Sequence, residues 1–117
     1  TNALAVGYGG TGAKNAASAR TNLGISATSL YNGTLTSGSI TFNYGSYNFY
    51  IIIGKPNSSA SPVSLVVPKI LLTTSATAYQ IADESNYKSF NLSYSGSTVT
   101  LKMGNGNGQI NRVFGVN

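Results

Sequence analysis

From residue 28 to the end, the chain is a series of short β-branched and aromatic runs cut apart by Gly, Pro, Asn and Ser, and this texture leaves few folds open to it. Lys88 to Tyr94 (KSFNLSY) alternates, with Phe90, Leu92 and Tyr94 on one face. Ser97 to Met103 (STVTLKM) does the same with Val99, Leu101 and Met103, and Leu35 to Phe42 ends with Ile40 and Phe42 on one face. A period of two is the mark of a half-buried strand. Tyr47 to Ile53 (YNFYIII) is aromatic and then β-branched, while Ala78 to Ala82 and Gln109 to Val116 are further strand candidates. Val63 to Thr73 is a long apolar stretch that Pro68 breaks or confines to a sheet edge. Turn signals stand between these runs: Pro56 to Pro62, Ser95-Gly96, and Gly104 to Gly108. About seven strands at this spacing point to an antiparallel sandwich or barrel, and the expectation is an all-β fold, an antiparallel β-sandwich, over residues 28–117. Its core is expected from Ile51 to Ile53, Val66, Ile70, Leu72, Phe90, Leu92, Val99, Leu101 and Phe114.

Residues 1–27 have a different texture, rich in Gly and Ala. Gly7, Gly9, Gly10 and Gly12 make a turned stretch. Thr11 is placed to cap a short helix from Ala13 to Leu23, and Gly24 to stop it. Such a helix is too short to hold in water alone. Its Ala-rich side suits close packing against copies of itself or against the following domain. Beginning at Thr1 without a Met, the chain reads as a fragment of something longer.

Composition narrows the function classes. Charged residues are only 8%, against about 25% in an ordinary domain, and polarity comes from Ser, Thr, Asn, Gly and Tyr. Such a surface makes many neutral hydrogen bonds, as sugar-binding surfaces do. Seven Lys and Arg against two acids give a net charge of +5. These basic residues are scattered, so they read as solvated or interface charges with a weak attraction to anionic envelopes, and not as a nucleic-acid stripe. There is no Cys, which excludes disulfides. The longest apolar run, Phe49 to Ile53, is far short of the roughly 20 residues of a membrane helix, and no membrane insertion is expected.

The chemistry of catalysis is sparse. With no His and no Cys, Ser-His-Asp, Cys-His and His/Cys zinc arrangements cannot be built within the chain. Glycoside hydrolysis usually takes two carboxylates facing one bond. The only acids are Asp83 and Glu84, which as strand neighbours would point to opposite faces. They read instead as part of a polar loop, Asp83-Glu84-Ser85-Asn86, with a calcium or receptor contact, or a catalytic pair formed within the loop or between subunits of a sugar-cleaving tip, as the alternatives. A protein that is not an enzyme, with no cofactor and no metal, is the expectation.

The run Gly9-Gly10-Thr11-Gly12-Ala13, then Ala17, Ala19-Arg20 and Asn22-Leu23-Gly24, resembles the GGTGA…A…AR.NLG motif of tailed-phage tail fibres, where it commonly precedes a distal domain. Leu30 to Phe42 (LYNGTLTSGSITF), the YIII strand and the closing Val113-Phe114-Gly115-Val116 are similar to the C-terminal tips of such proteins. Roughly a third of the chain is covered; residues 54 to 100 match no pattern, and in that family this is where receptor specificity usually varies. The resemblance implies a homotrimer about a threefold axis at the distal end of a tail fibre on the virion. Residues 1–27 would be the fibre-connecting, trimerising segment and residues 28–117 the receptor-binding tip. Its partners would be the rest of the tail fibre and a bacterial surface glycan, such as lipopolysaccharide, or an outer-membrane protein. The alternative within the same family is a structural trimer cap or attachment module without direct receptor contact.

Eight tyrosines and four phenylalanines make an aromatic supply weighted toward the residue that gives contact area at little entropy cost and adds a hydroxyl. Three clusters are receptor-contact candidates: Asn43, Tyr44, Tyr47 and Asn48 around Gly45; Tyr79 with Asp83, Asn86 and Tyr87; and the Asn105 and Asn107 turn. Each has a plainer reading. Tyr47 and Tyr50 can simply cover a sheet face, Tyr44 can pack on a neighbouring subunit, and the Gly-Asn-Gly-Asn-Gly run can exist because a tight turn needs positive φ.

Overall fold

The Asn15 side chain accepts from the Ser18 N–H at 2.8 Å and caps helix α1, Ala16–Asn22. The structure, a computed structural model, describes residue 10, residues 12–23 and residues 26–117. The helix therefore begins three residues later than its alanines suggest, because an Asn followed by Ala-Ala-Ser is a working cap and Ala13-Lys14 before it is not helical. Thr11 and Gly24, expected as cap and stop, lie outside the described residues. None of the residues of α1 is buried.

Eight strands follow: β1 (Ala27–Leu35), β2 (Ser39–Asn43), β3 (Phe49–Lys55), β4 (Val63–Pro68), β5 (Thr77–Ala82), β6 (Tyr87–Ser95), β7 (Thr98–Gly106) and β8 (Gln109–Val116). They form two four-stranded sheets, in the orders β1-β8-β3-β4 and β2-β7-β6-β5, with every pairing antiparallel. The all-β, antiparallel expectation for this part of the chain is what the sheets show. One strand more is present than the sequence suggests. β1 escapes detection because register shifts between Ser29 and Tyr31 and between Asn32 and Leu35 break its alternation. Pro68 ends β4 at the edge of its sheet, where its missing N–H is harmless, and a short 3-10 turn, Lys69–Leu71, follows.

The core lies between the sheets. Tyr50, Ile52, Val67, Ile110 and Val113 from the first sheet meet Phe42, Ile81, Phe90, Leu92, Val99, Leu101 and Met103 from the second. Ile52, Leu72, Phe90, Leu92, Val99 and Leu101 are buried as expected. Four other core expectations fail for one reason, the pleat. Because Tyr50 and Ile52 face inward, Ile51 and Ile53 face out and are only part-buried. Val66 and Phe114 pair with Ile51 and share that outward face; Val66 is 56% exposed. Ile70, in the turn after Pro68, is 90% exposed.

The connections divide into two ends. The links β2–β3, β4–β5 and β6–β7 lie at the end where Ser26 enters β1 and Asn117 leaves β8, the Asn117 N–H donating to the Ser26 carbonyl at 3.0 Å. The links β1–β2, β3–β4, β5–β6 and β7–β8 lie at the opposite, far end. The β6–β7 hairpin turns through Gly96-Ser97, with Gly96 at φ 59°, the first-position Gly of a tight hairpin turn.

Ile52→Ala should cost about 2–5 kcal/mol of unfolding free energy, as a core truncation does, whereas Ile70→Ala should stay within about 0.5 kcal/mol. Urea unfolding of the two variants checks the pair, and an equal loss in both would contradict the placement of Ile70.

Candidate functional site

The three candidate clusters fall at the two ends of the sandwich. Asn43, Tyr44, Tyr47 and Asn48 are at the end where the chain enters and leaves. Asp83, Asn86, Tyr87, Asn105 and Asn107 are at the far end, and Tyr79 lies within β5 on its way there.

At the near end the tyrosines are engaged with one another. Tyr44 stacks on Tyr94 with ring centroids 4.7 Å apart, and the Lys69 ammonium lies 3.9 Å from the Tyr44 centroid. The same ammonium donates to the Gly45 carbonyl. The Tyr50 hydroxyl donates to the Tyr44 carbonyl at 2.6 Å, and its ring meets Tyr47 edge-on at 5.9 Å and Phe42 at 5.6 Å. Tyr47 lies on the bare backbone of Gly115, where an added Cβ would stand 2.6 Å from the ring. That contact explains the Gly in the closing Val113-Phe114-Gly115-Val116 run. Asn43 accepts the Gly45 N–H at 3.0 Å, which sets the turn, and the Asn48 backbone bridges Val116 and Lys69. The arrangement seals the end of the core. A shallow open depression lined by Thr41, Phe42, Asn43, Ser97 and Thr98 lies beside it.

The far end is built differently. Asp83 opens the β5–β6 turn: its carboxylate accepts the N–H groups of Ser85 at 2.9 Å and Asn86 at 2.8 Å, while its own N–H donates to the Asn86 carbonyl. The bonds from Ser85 and Asn86 hold its carboxyl below the ordinary carboxylate value. Asp83 and Glu84 are both exposed, in a loop as their neighbours Ser85 and Asn86 suggest. The Asn105–Asn107 turn is fastened to this one. Gly108 N–H donates to the Tyr87 carbonyl, Lys88 Nζ to the Gly106 carbonyl at 3.2 Å, and Ser89 Oγ to the Asn105 carbonyl at 3.0 Å. Gly106 has φ 114°, and a Cβ there would stand 2.1 Å from the Tyr87 oxygen, so only Gly allows the two turns to meet. Asn105 and Asn107 stay exposed, and Tyr87 is 44% exposed. Tyr79 is not part of this surface; it stacks on Phe90 at 5.8 Å and is half-buried.

The structure thus joins Asp83, Asn86 and Tyr87 of the second cluster to the third cluster in one platform, leaves Tyr79 out of it, and separates the first cluster from them. The residues that do the fastening, Lys88, Ser89, Gly106 and Gly108, carry no local sequence signal of that role. Their proximity is set by the β6–β7 pairing, Lys88 lying opposite Gly106. Lys69 and Tyr94 complete the near-end cluster by the same kind of long-range contact.

No protein-family model matches the chain, and no curated protein or solved structure is significantly similar to it.

Burial, and then the neighbouring Tyr44 and Tyr47, push the Tyr50 hydroxyl up to about 12. In the unfolded chain a tyrosine ionises near its ordinary value of about 10. The unfolded state therefore sheds this proton first, and the stability involved is intact below about pH 10 and falls as pH rises toward about 12. Tyr50→Phe should lower stability at neutral pH by about 1–2 kcal/mol through the unpaired Tyr44 carbonyl, and should flatten the alkaline fall. Chemical denaturation across that pH range reads both effects.

Proposed function

We propose that the chain is the distal tip of a phage tail fibre, homotrimeric, that binds a surface receptor of the host bacterium and acts by binding alone, without catalysis or a cofactor. The observation that carries the reading is the polarity of the sandwich. The chain enters and leaves at one end, and the exposed Asp83, Tyr87, Asn105 and Asn107, with the half-buried Asn86, stand on fastened turns at the other. A domain joined to a fibre through its N-terminal segment turns that far end outward. The far-end loops between β3 and β4 and between β5 and β6 fall within residues 54 to 100, the stretch that differs from the tail-fibre pattern. The resemblance of residues 9 to 24 to the tail-fibre motif supports the same assignment.

The chemistry of the platform suits a glycan or a neutral polar protein surface. Amides of Asn86, Asn105 and Asn107 offer both donors and acceptors, the carboxylates of Asp83 and Glu84 accept hydroxyl protons, and the exposed Tyr87 ring offers a stacking face. The near-end tyrosines contribute to adsorption, in this reading, by holding the domain together, because their rings and carbonyls are already partnered.

Fluorescently labelled protein should stain the bacterium that the parent phage infects. Combining Tyr87→Ala with Asn105→Ala and Asn107→Ala should weaken staining by about tenfold or more, the scale of one lost hot-spot contact. Thr100→Ala, on the outer face of the second sheet, should leave it unchanged. If the unaltered protein does not stain those cells while the intact fibre does, the chain is a structural cap or attachment module and not the receptor-binding tip.

A further inference from the structure

At three points the chain sets Gly directly after Asn: Asn32-Gly33, Asn105-Gly106 and Asn107-Gly108. At such a step a backbone nitrogen can react with the preceding side chain, because Gly leaves that nitrogen unshielded. The nitrogen must swing onto the Asn Cγ, so the peptide between the two residues must be free to turn. All three Asn side chains are exposed, and the difference between the steps lies in the backbone. At the far end both peptides are held. Gly106 pairs with Lys88 in the ladder, its carbonyl accepts from Lys88 Nζ, and a Cβ on it would stand 2.1 Å from the Tyr87 oxygen. The Gly108 N–H donates to the Tyr87 carbonyl, and a Cβ on Gly108 would stand 2.5 Å from the Lys55 oxygen and 2.8 Å from that of Pro56. Asn32-Gly33 is placed otherwise. β1 is an edge strand, and its register with β8 slips between Asn32 and Leu35, so Gly33 and Thr34 together face the single residue Asn111. A bulge leaves its extra residue outside the ladder, and an exposed edge opens locally more readily than a fastened turn. The Asn111 side chain donates to the Gly33 carbonyl at 3.2 Å, a bond that does not involve the nitrogen. Tyr31 folds over Gly33, its hydroxyl oxygen 2.8 Å from where a Cβ would stand, so the local packing itself calls for Gly after Asn32.

We infer that Asn32 is a site of spontaneous modification, deamidating through a cyclic imide, while the fastened turns protect Asn105 and Asn107. The Gly33 nitrogen attacks the Asn32 Cγ and a new C–N bond closes the imide. The Cγ–Nδ2 bond breaks, and ammonia leaves with the proton that the Gly33 nitrogen gives up. Water then opens the imide at either carbonyl, leaving aspartate or isoaspartate at this position. Nothing is oxidised or reduced, and water is the sole co-reactant. The surroundings favour both the step and its product. The register sets Asn32 opposite Arg112, and directly opposed residues of an antiparallel pair share a face. The Arg112 Nε is buried without a hydrogen bond, and the guanidinium lies over the Phe114 ring at 4.6 Å. Closure of the imide passes through an anionic tetrahedral centre, which a neighbouring cation stabilises. The carboxylate that results gives Arg112 an anion, where the chain's own two acids stand in the β5–β6 turn. The bonds that build the far-end platform meanwhile keep its amides neutral.

The test is to hold the purified chain at mildly alkaline pH and follow its tryptic peptides 21–69 and 103–112 by tandem mass spectrometry. In the native protein the mass gain of amide to carboxylate should accumulate at Asn32 and stay absent from Asn105 and Asn107. In denaturant, where only the shared Asn-Gly sequence remains, the three positions should react at similar rates. Native modification of Asn105 or Asn107 as fast as Asn32, or a native Asn32 no faster than either, overturns the inference. Two variants probe its physical causes. Ser89→Ala removes a bond to the Asn105 carbonyl and should speed reaction at Asn105 by about fivefold, the scale of one hydrogen bond. An unchanged rate there overturns the protective role of the fastening. Asn32→Asp stands for the product and should raise the folding constant by up to about fivefold, as an opposed cross-strand pair of opposite charge does. The gain should vanish when Arg112→Gln is added. A folding constant that does not rise, or that rises equally without Arg112, overturns the pairing of the product with that cation.

Discussion

The fold depends on β3 being flanked on both sides and packed from within. It is hydrogen-bonded to β8 along one edge and β4 along the other, and its inward residues, Tyr50 and Ile52, are at 1% and 0% exposure. Tyr50 is the costly member, because a buried hydroxyl must find a partner. It finds one in the Tyr44 carbonyl, and that single bond ties the β2–β3 crossover, which carries the chain from one sheet to the other, to the strand it leads into. The Tyr47 contact with Gly115 and the Tyr44 stack on Tyr94 extend the same closure to β8 and β6. The near end is thus held by aromatic packing, and the far end by hydrogen bonds between turns.

Scarcity of acids shapes the electrostatics. With two carboxylates in the whole sequence, cations must be accommodated by other groups. Lys69 lies over a tyrosine ring and donates to a carbonyl, Arg112 lies over a phenylalanine ring, and Lys88, at 6% exposure, donates to the Gly106 carbonyl. Cation–aromatic contacts and carbonyl bonds do here what ion pairs do elsewhere, and they bring no second formal charge with them.

Much of this was legible in the sequence wherever the signal is local. The alternation of Phe90, Leu92 and Tyr94 and of Val99, Leu101 and Met103 marks β6 and β7, and Gly96 marks the turn between them. The Asp83-Glu84-Ser85-Asn86 loop follows from side chains that bond their own backbone. What was not legible depends on partners distant in sequence. β1 is a strand because β8 lies beside it, not because its residues alternate. Val66 and Phe114 are as apolar as any core residue, and only the register with Ile51 assigns them to the outside. Tyr44 and Tyr87 look equivalent in the sequence, yet one is stacked and carries a cation on its ring while the other stays 44% exposed. The union of the Asn86 and Asn105 turns rests on a contact, Gly106 against Tyr87, that no local pattern announces.

The antiparallel pairing of β1 and β8, with Ser26 and Asn117 meeting at one end, also fixes how the domain responds to mechanical load. Tension applied between Ser26 and the far end runs parallel to the strands. The β1–β8 ladder is then strained in shear, so its hydrogen bonds share the force and must yield together. Tension applied across the strands would open them one at a time, like a zipper. By this geometry the sandwich resists most strongly along the line joining its two ends.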